Sequence, residues 1–152
     1  MFKNFVIYLL CLIPWLFSYF IPIDYSYFNR IKVPFFTPPS YFYGIFWTIT
    51  YLLIALTIYF IVTNYKFREI PKSYKITLLI NYLFNQSFTI LFFILKNNFL
   101  GFISCLGTFI SVLFLYEETS LLQNKKKNLL DLYILLSLFA TILSLTIYLL
   151  NI

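Results

Sequence analysis

The chain of 152 residues is 62% hydrophobic and 24% aromatic, with 11 basic residues, 5 acidic residues, no histidine and a net charge of +6. Its mean hydropathy of +0.88 excludes an ordinary soluble domain and describes a membrane protein. Without histidine, a Gly-x-x-x-x-Gly-Lys loop or a carboxylate cluster, the usual ingredients of metal sites, P-loops and hydrolase triads are missing, so no metal or other cofactor is expected.

The charges divide the chain into five uncharged runs, each near the roughly 17–25 residues a helix needs to cross the hydrocarbon core. Because no water satisfies backbone groups there, these runs read as helices: Phe5 to Ile21, Tyr43 to Thr63, Ile76 to Leu95, Asn98 to Tyr116 and Leu132 to Ile152. The expected fold is an all-α membrane protein, a single domain over residues 1–152 built as a five-transmembrane-helix bundle.

The first run follows Lys3 as a signal peptide would, but it is long, contains Pro14 and Trp15, and ends in SYFIPIDY without a small-x-small cleavage site. The loop after it, Asp24 to Tyr43, is long and dense in Tyr and Phe, which does not suit a solvated linker. Pro34, Pro38 and Pro39 fix φ and remove three N–H donors, which predicts a stiff flap, with Tyr41, over the mouth of the bundle. An aromatic belt at headgroup level is the alternative use of the same residues.

The third run carries the richest polar set, INYLFNQSFT. Asn81 and Asn85 stand four apart on one helix face, near Phe88. Such amides bond across helices or line a ligand cavity, and both uses can hold together. On the fourth run Gly101, Ser104, Thr108 and Ser111, with Gly107 beside them, form a small-residue stripe that lets another helix approach, within the bundle or across a homodimer. Ser137, Ala140, Thr141 and Ser144 make a similar face on the fifth. Cys11 and Cys105 read as separate apolar thiols.

Lys3, Lys66, Arg68, Lys72, Lys75 and Lys125 to Lys127 fall on one side of this topology, and Arg30, Lys32 and Lys96 on the other. The positive-inside rule then places the N-terminus in the cytoplasm, in a multi-pass protein of the cell membrane. The net charge is this topological signal, so no nucleic-acid partner is expected. No ionisable residue lies within a span, which argues against an ion pump or channel.

Lys32, Pro34, Pro38 and Pro39, followed by Tyr41-Phe-Tyr-Gly-Ile-Phe-Trp47-Thr-Ile-Thr-Tyr51, resemble the loop and second helix of the tryptophan-rich sensory protein/translocator protein family (TspO, the peripheral-type benzodiazepine receptor), whose pattern is roughly KPxWxPPxWxFGPVWTxLY. The resemblance continues through Tyr74, Asn81, the NQSF of residues 85–88 and Phe139-Ala-Thr-Ile-Leu-Ser144. It implies a five-helix bundle, often dimeric, with a cavity opening toward the first loop. Family members bind porphyrins, many bind isoquinoline carboxamides or benzodiazepines, and mammalian members bind cholesterol. By motif, Trp47, Asn81 and Ala140 would line the pocket, with Asn85, Phe88 and Ser144 beside them, and Pro34, Pro38 and Pro39 would shape the lid.

The chain departs from the family pattern in three places. A tryptophan three residues before the Phe of FAT is Leu136, Pro-Tyr at the start of the last helix is Leu132-Tyr133, and GPVW is Gly44-Ile-Phe-Trp47. Some bacterial relatives are associated with light-dependent breakdown of protoporphyrin involving pocket tryptophans; here Trp47 would carry that chemistry, and Leu136 weakens the case. No basic residue follows Tyr148, so the cholesterol pattern is missing. The expected function is a membrane receptor or carrier for porphyrins or similar hydrophobic ligands. The alternatives are a light-dependent porphyrin-degrading enzyme and an interaction protein docking a partner through helix four.

Overall fold

Pro14 decides how the chain enters the bilayer. In the computed structural model, which describes residues 2–23 and 25–152, helix α1 (Phe2–Leu12) gives way at that proline to a 3₁₀ segment, Ile13–Phe20. A proline supplies no N–H and clashes with the preceding turn, so the α ladder cannot pass through it. The carbonyls released by the break find side chains on a neighbouring helix: Tyr82 donates its hydroxyl to Pro14 O at 3.2 Å and Gln86 donates Nε2 to Trp15 O at 3.3 Å. Gln86 Oε1 also accepts from the Ser18 N–H at 2.9 Å, so one amide bridges both edges of the irregular turn.

The rest of the chain is helical: α2 (Tyr25–Phe28), α3 (Ser40–Asn64), α4 (Lys72–Phe88) continuing as a π-helical segment (Thr89–Ile94), α5 (Asn98–Gln123), a 3₁₀ turn (Asn124–Leu130) and α6 (Asp131–Leu150). Among the described residues there is no strand. Pro39 and Pro71 precede α3 and α4, where the missing N–H costs nothing. The unbroken helical stretch Asn98–Leu150 reverses at Gln123 (φ −143°, ψ 68°), so it supplies two spans. Five bilayer-length helices result, as the charge pattern predicts.

Neighbours run antiparallel. Tyr8 of α1 meets Tyr59 of α3, whereas Tyr19 bonds Thr48 at 2.7 Å. Phe99 at the start of α5 packs on Tyr148 near the end of α6, with centroids 5.3 Å apart. Polarity is inverted relative to a soluble protein. Leu10, Leu79, Leu83, Phe114, Leu135 and Leu149 are exposed, while Thr50, Asn81, Ser104, Thr119 and Ser137 are essentially inaccessible. In hydrocarbon, leucine has no reason to hide and a hydroxyl has every reason to find a partner. The chain is a multi-pass integral membrane protein.

Several boundaries differ from expectation. The fourth predicted span stops at Tyr116, but α5 runs to Gln123, because Tyr65 donates to Leu122 O at 2.7 Å and Ser73 to Glu118 Oε2 at 2.9 Å, holding the last turns against the α3–α4 connection. The first loop contains α2, and Asp24, where the loop reading begins, lies outside the described residues.

The π-helical segment is accommodated by one glycine. A Cβ on Gly101 of α5 would sit 2.7 Å from Phe92 Cδ2 and 3.2 Å from its Cβ, and Phe92 is only 2% exposed, so the ring has nowhere to go. Gly44 has nothing within 4 Å of the same position. Gly101→Ala is therefore expected to destabilise the bundle by about 1–3 kcal/mol. Gly44→Ala should be neutral or stabilising by up to about 1 kcal/mol. Thermal unfolding of the two variants in one detergent separates the cases.

Candidate functional site

The polar residues of α4 organise the interior. Tyr133 of α6 donates its hydroxyl to Asn81 Oδ1 at 2.9 Å and accepts from Asn85 Nδ2 at 3.1 Å. Tyr51 of α3 donates to Asn85 Oδ1 at 3.0 Å, and Gln86 Nε2 reaches the same oxygen at 3.1 Å. Asn81 Nδ2 in turn donates to Ser111 Oγ at 2.9 Å and Thr108 O at 3.2 Å on α5. Four helices are thus joined through two amides and two phenols. Trp15 lies against the phenols, its ring 6.0 Å from Tyr51 and 6.5 Å from Tyr133, and Trp47 closes the group at 5.8 and 6.1 Å from the same rings.

On the loop side of this hub lies a cavity of about 310 Å³, at the lower end of the range for small-molecule sites. Trp47, Tyr43 and Tyr51 of α3 form one wall, and Asn85, Phe88, Thr89 and Phe92 of α4 and its π-helical extension form another. Cys105 and Thr108 of α5 with Ser137, Ala140 and Ser144 of α6 form the back, where small side chains leave the room that the facing rings do not take. None of the described lining residues is charged.

The loop borders this space. Ile23, Phe28 and Ser40 reach the cavity itself. Tyr27 places its hydroxyl 2.7 Å from Asn98 Oδ1 and 3.0 Å from Lys96 O, and its ring lies edge-on to Phe92 at 5.8 Å. Burial raises the Tyr27 phenol above its usual pKa, with Lys96 pulling the other way. Asn151, just past α6, takes the Lys32 N–H on Oδ1 at 2.9 Å and gives Nδ2 to the Lys32 carbonyl at 2.8 Å, pairing with the loop as a second peptide would. Phe36 lies 6.4 Å from Phe139, and Pro34 is buried beneath the segment.

Of the residues singled out in the sequence, Trp47, Asn85, Phe88, Ala140 and Ser144 line the cavity together. Asn81 does not; it is fully buried in the hub, where it fixes α4 to α5 and α6. Pro34, Pro38, Pro39 and Tyr41 shape the loop without lining the cavity, and Tyr41 is 70% exposed. Gly101, Ser104, Thr108 and Ser111 are buried within the protomer; Gly101 meets Phe92, Gly107 faces Phe84 and Ser111 bonds Asn81, all from α4 and its extension, while Thr108 also lines the cavity. Leu136 does not line the cavity. Sequence reasoning missed Gln86, Tyr51, Tyr133 and Asn151. The signal available for the first three was a polar group inside a span, which obliges a partner.

A TspO/MBR family model matches residues 5–150. The chain is 40% identical over 134 residues to the tryptophan-rich protein TspO of Bacillus cereus, covering 88% of this chain and 86% of that protein. Over the same shares it is 35% identical to the uncharacterized membrane protein YtaB of Bacillus subtilis. The tryptophan-rich protein TspO of Archaeoglobus fulgidus is 32% identical over 127 residues, 83% of this chain and 80% of its own.

Removing the Tyr133 hydroxyl leaves Asn81 Oδ1 without the donor shown here and Asn85 Nδ2 without its acceptor. Tyr133→Phe is expected to cost roughly 1–3 kcal/mol. Tyr82→Phe, which loses only the bond to Pro14 O at a half-buried position, should cost less. Unfolding in mixed micelles with increasing denaturing detergent ranks the two.

Proposed function

Because the chain belongs to the TspO/MBR family, we propose that it is an integral membrane receptor or carrier that binds porphyrins or similar flat hydrophobic ligands in the cavity beneath the first loop, with a sensory or regulatory role. The observation that carries this reading is the cavity itself: an uncharged chamber of about 310 Å³ with Trp47 and Phe88 on facing helices, under a loop tied down at Tyr27 and Lys32. A planar aromatic guest gains most from stacking against rigid rings and from leaving water, and the Trp47 indole adds an N–H donor. The relatives named tryptophan-rich protein TspO support the same reading.

The second reading, light-dependent breakdown of a bound porphyrin, is favoured by the position of Trp47 on the cavity wall, in contact with Tyr51 and Tyr133. The other tryptophan, Trp15, is buried outside the cavity lining. Only one indole therefore faces a guest.

The orientation that fits this function puts the loop and cavity mouth outside the cytoplasm and the N-terminus within it, in the cell membrane. Lys66 to Lys75 and Lys125 to Lys127 share one end of the bundle, where Ser73 bonds Glu118 and Lys126 lies 3.8 Å from the centre of the Phe60 ring. That end suits an anionic cytoplasmic leaflet.

Titration of the purified protein with protoporphyrin IX in the dark, read by porphyrin absorbance, is expected to saturate. Trp47→Ala should weaken binding by roughly 10-fold, the loss expected of a stacking ring, while Trp15→Phe should weaken it less. Unsaturable uptake matching that of empty micelles would overturn the proposal. Illumination of the saturated sample separates the readings: an unchanged spectrum supports a receptor or carrier, and a new product abolished by Trp47→Phe supports the enzyme.

A further inference from the structure

The first loop carries one side chain that packing within the bundle leaves out. Phe35 is fully exposed, at 102%, and among the described residues its ring meets only that of the adjacent Phe36. The segment is nevertheless stiff. Thr37 donates its N–H to Pro34 O at 3.0 Å and its hydroxyl to the same oxygen at 2.7 Å, which sets Phe35 and Phe36 at the centre of a tight turn. Pro34 is buried, and Pro38 and Pro39 fix the path that follows. Side chains alternate along the segment. Val33 and Phe35 are exposed, whereas Pro34 is buried and Phe36 packs on the cluster of Phe92, Leu143 and Ile147.

Two contacts fix the depth of this turn. Lys32 is paired with Asn151, just past the end of α6, while Phe36 reaches Phe139, with ring centroids 6.4 Å apart. At about 1.5 Å per residue, Phe139 lies roughly 18 Å before Asn151 along the helix, and the four residues from Lys32 to Phe36 cover at most about 14 Å when extended. The segment therefore runs down α6 and not across its end. The outward face of α6 stays apolar to its last turn, through exposed Ile142, Leu145, Leu149 and Leu150, so an exposed ring hung below that turn meets lipid and not water. The backbone suits this depth. Three prolines bring no N–H, Pro34 O takes two donors, and Asn151 takes both polar groups of Lys32. Arg30 and Lys32, exposed on the approach to the turn, complete a sequence from charge to aromatic ring that matches the passage from headgroup to acyl chain.

We propose that the turn from Pro34 to Thr37 is a membrane anchor for the loop: Phe35, with Val33 beside it, inserts at the boundary between headgroups and acyl chains of the adjacent leaflet. The loop is then fastened from two sides, to the protein through Tyr27, Lys32 and Phe36 and to the lipid through Phe35. Its fastening depends on the bilayer, whatever the cavity contains.

Power saturation of a nitroxide attached through Phe35→Cys tests the depth, in the full chain carrying Cys11→Ala and Cys105→Ala, in nanodiscs of phosphatidylcholine and phosphatidylglycerol. Leu149→Cys, on the exposed face near the end of α6, is the hydrocarbon reference, and Arg68→Cys, in the α3–α4 connection, is the water reference. The label at position 35 is expected to be relaxed by oxygen and shielded from a water-soluble nickel chelate, as at position 149. Relaxation by the chelate equal to that at position 68 would overturn the anchor. So would shielding from both reagents, which would put a second copy or another protein on the ring. If the cysteine-free chain does not fold, Phe35→Trp in the otherwise unmodified protein reads the same depth: brominated lipid should quench it beyond the quenching of Trp15 and Trp47, and no added quenching overturns the anchor. The fastening is read separately. Phe35→Ser should leave the unfolding temperature unchanged, because the ring meets only Phe36, yet speed hydrogen exchange at the Lys32 and Thr37 amides by roughly 3- to 10-fold, a part of what burying a phenylalanine is worth. Phe35→Trp should keep the slow exchange, and exchange unaltered by Phe35→Ser would overturn the fastening.

Discussion

Every polar group carried into the bilayer must find its partner inside the protein, and the clamp by Gln86 on the broken first span is where this chain meets that demand most directly. Without water, an unsatisfied backbone group costs several kcal/mol. Pro14 nevertheless breaks the α ladder, and Gln86 answers from α4 by bonding Trp15 O and Ser18 N–H. Trp15 is thereby held at the centre, 2% exposed, with Tyr51, Tyr82 and Tyr133 around it. Tyr51 and Tyr133 in turn orient Asn85, and Tyr133 orients Asn81. The position of the cavity wall follows from an irregularity in a different helix.

The two halves of the bundle are filled differently, and this sets where the cavity can be. Ile54, Ile61, Val112, Leu115 and Leu130 pack solidly on the side of the α5–α6 turn. Toward the loop, α5 and α6 present Cys105, Thr108, Ser137, Ala140 and Ser144, which are too small to fill the same width. The π-helical turn of α4 turns Phe92 against Gly101 and stacks it on Phe88 at 5.2 Å, so that the large rings line the space instead of filling it. Rigid rings facing small side chains leave a slot, and a slot favours a flat guest.

Much of the architecture could be read from the chain because charge is so expensive in hydrocarbon. Lys66 to Lys75, Lys96 and Lys125 to Asp131 mark the ends of spans whatever their packing. Charge is a poor guide to where a helix stops, however, since Glu117 and Glu118 leave the membrane while α5 continues through Thr119 to Gln123. Asn85, Phe88, Ala140 and Ser144 were legible as a group through helical spacing and motif resemblance. The separate fate of Asn81 was not. Residues four apart share a face, but α4 buries one end of that face against Ser111 and opens the other to the cavity, and the pattern of spacing is identical for both. The π-helical turn left no mark either, as TILFFI reads like any apolar stretch.

The loop is held by contacts from distant parts of the chain, and one buried group works against them. Asn151 pairs with both polar groups of the Lys32 backbone, and Tyr27 reaches the α4–α5 turn, so the loop is fastened to the ends of α4 and α6. Against these stands Tyr43, whose hydroxyl is buried beside the cavity without a partner among the described residues, packed near Phe92, Leu143 and Ile147. A buried donor left unpaired costs roughly 1–3 kcal/mol, which offsets part of what the four hydrogen bonds of Lys32 and Tyr27 return. The aromatic contacts of Tyr27, Phe28 and Phe36 with Phe92, Phe93 and Phe139 add to these bonds in holding the loop against α4 and α6.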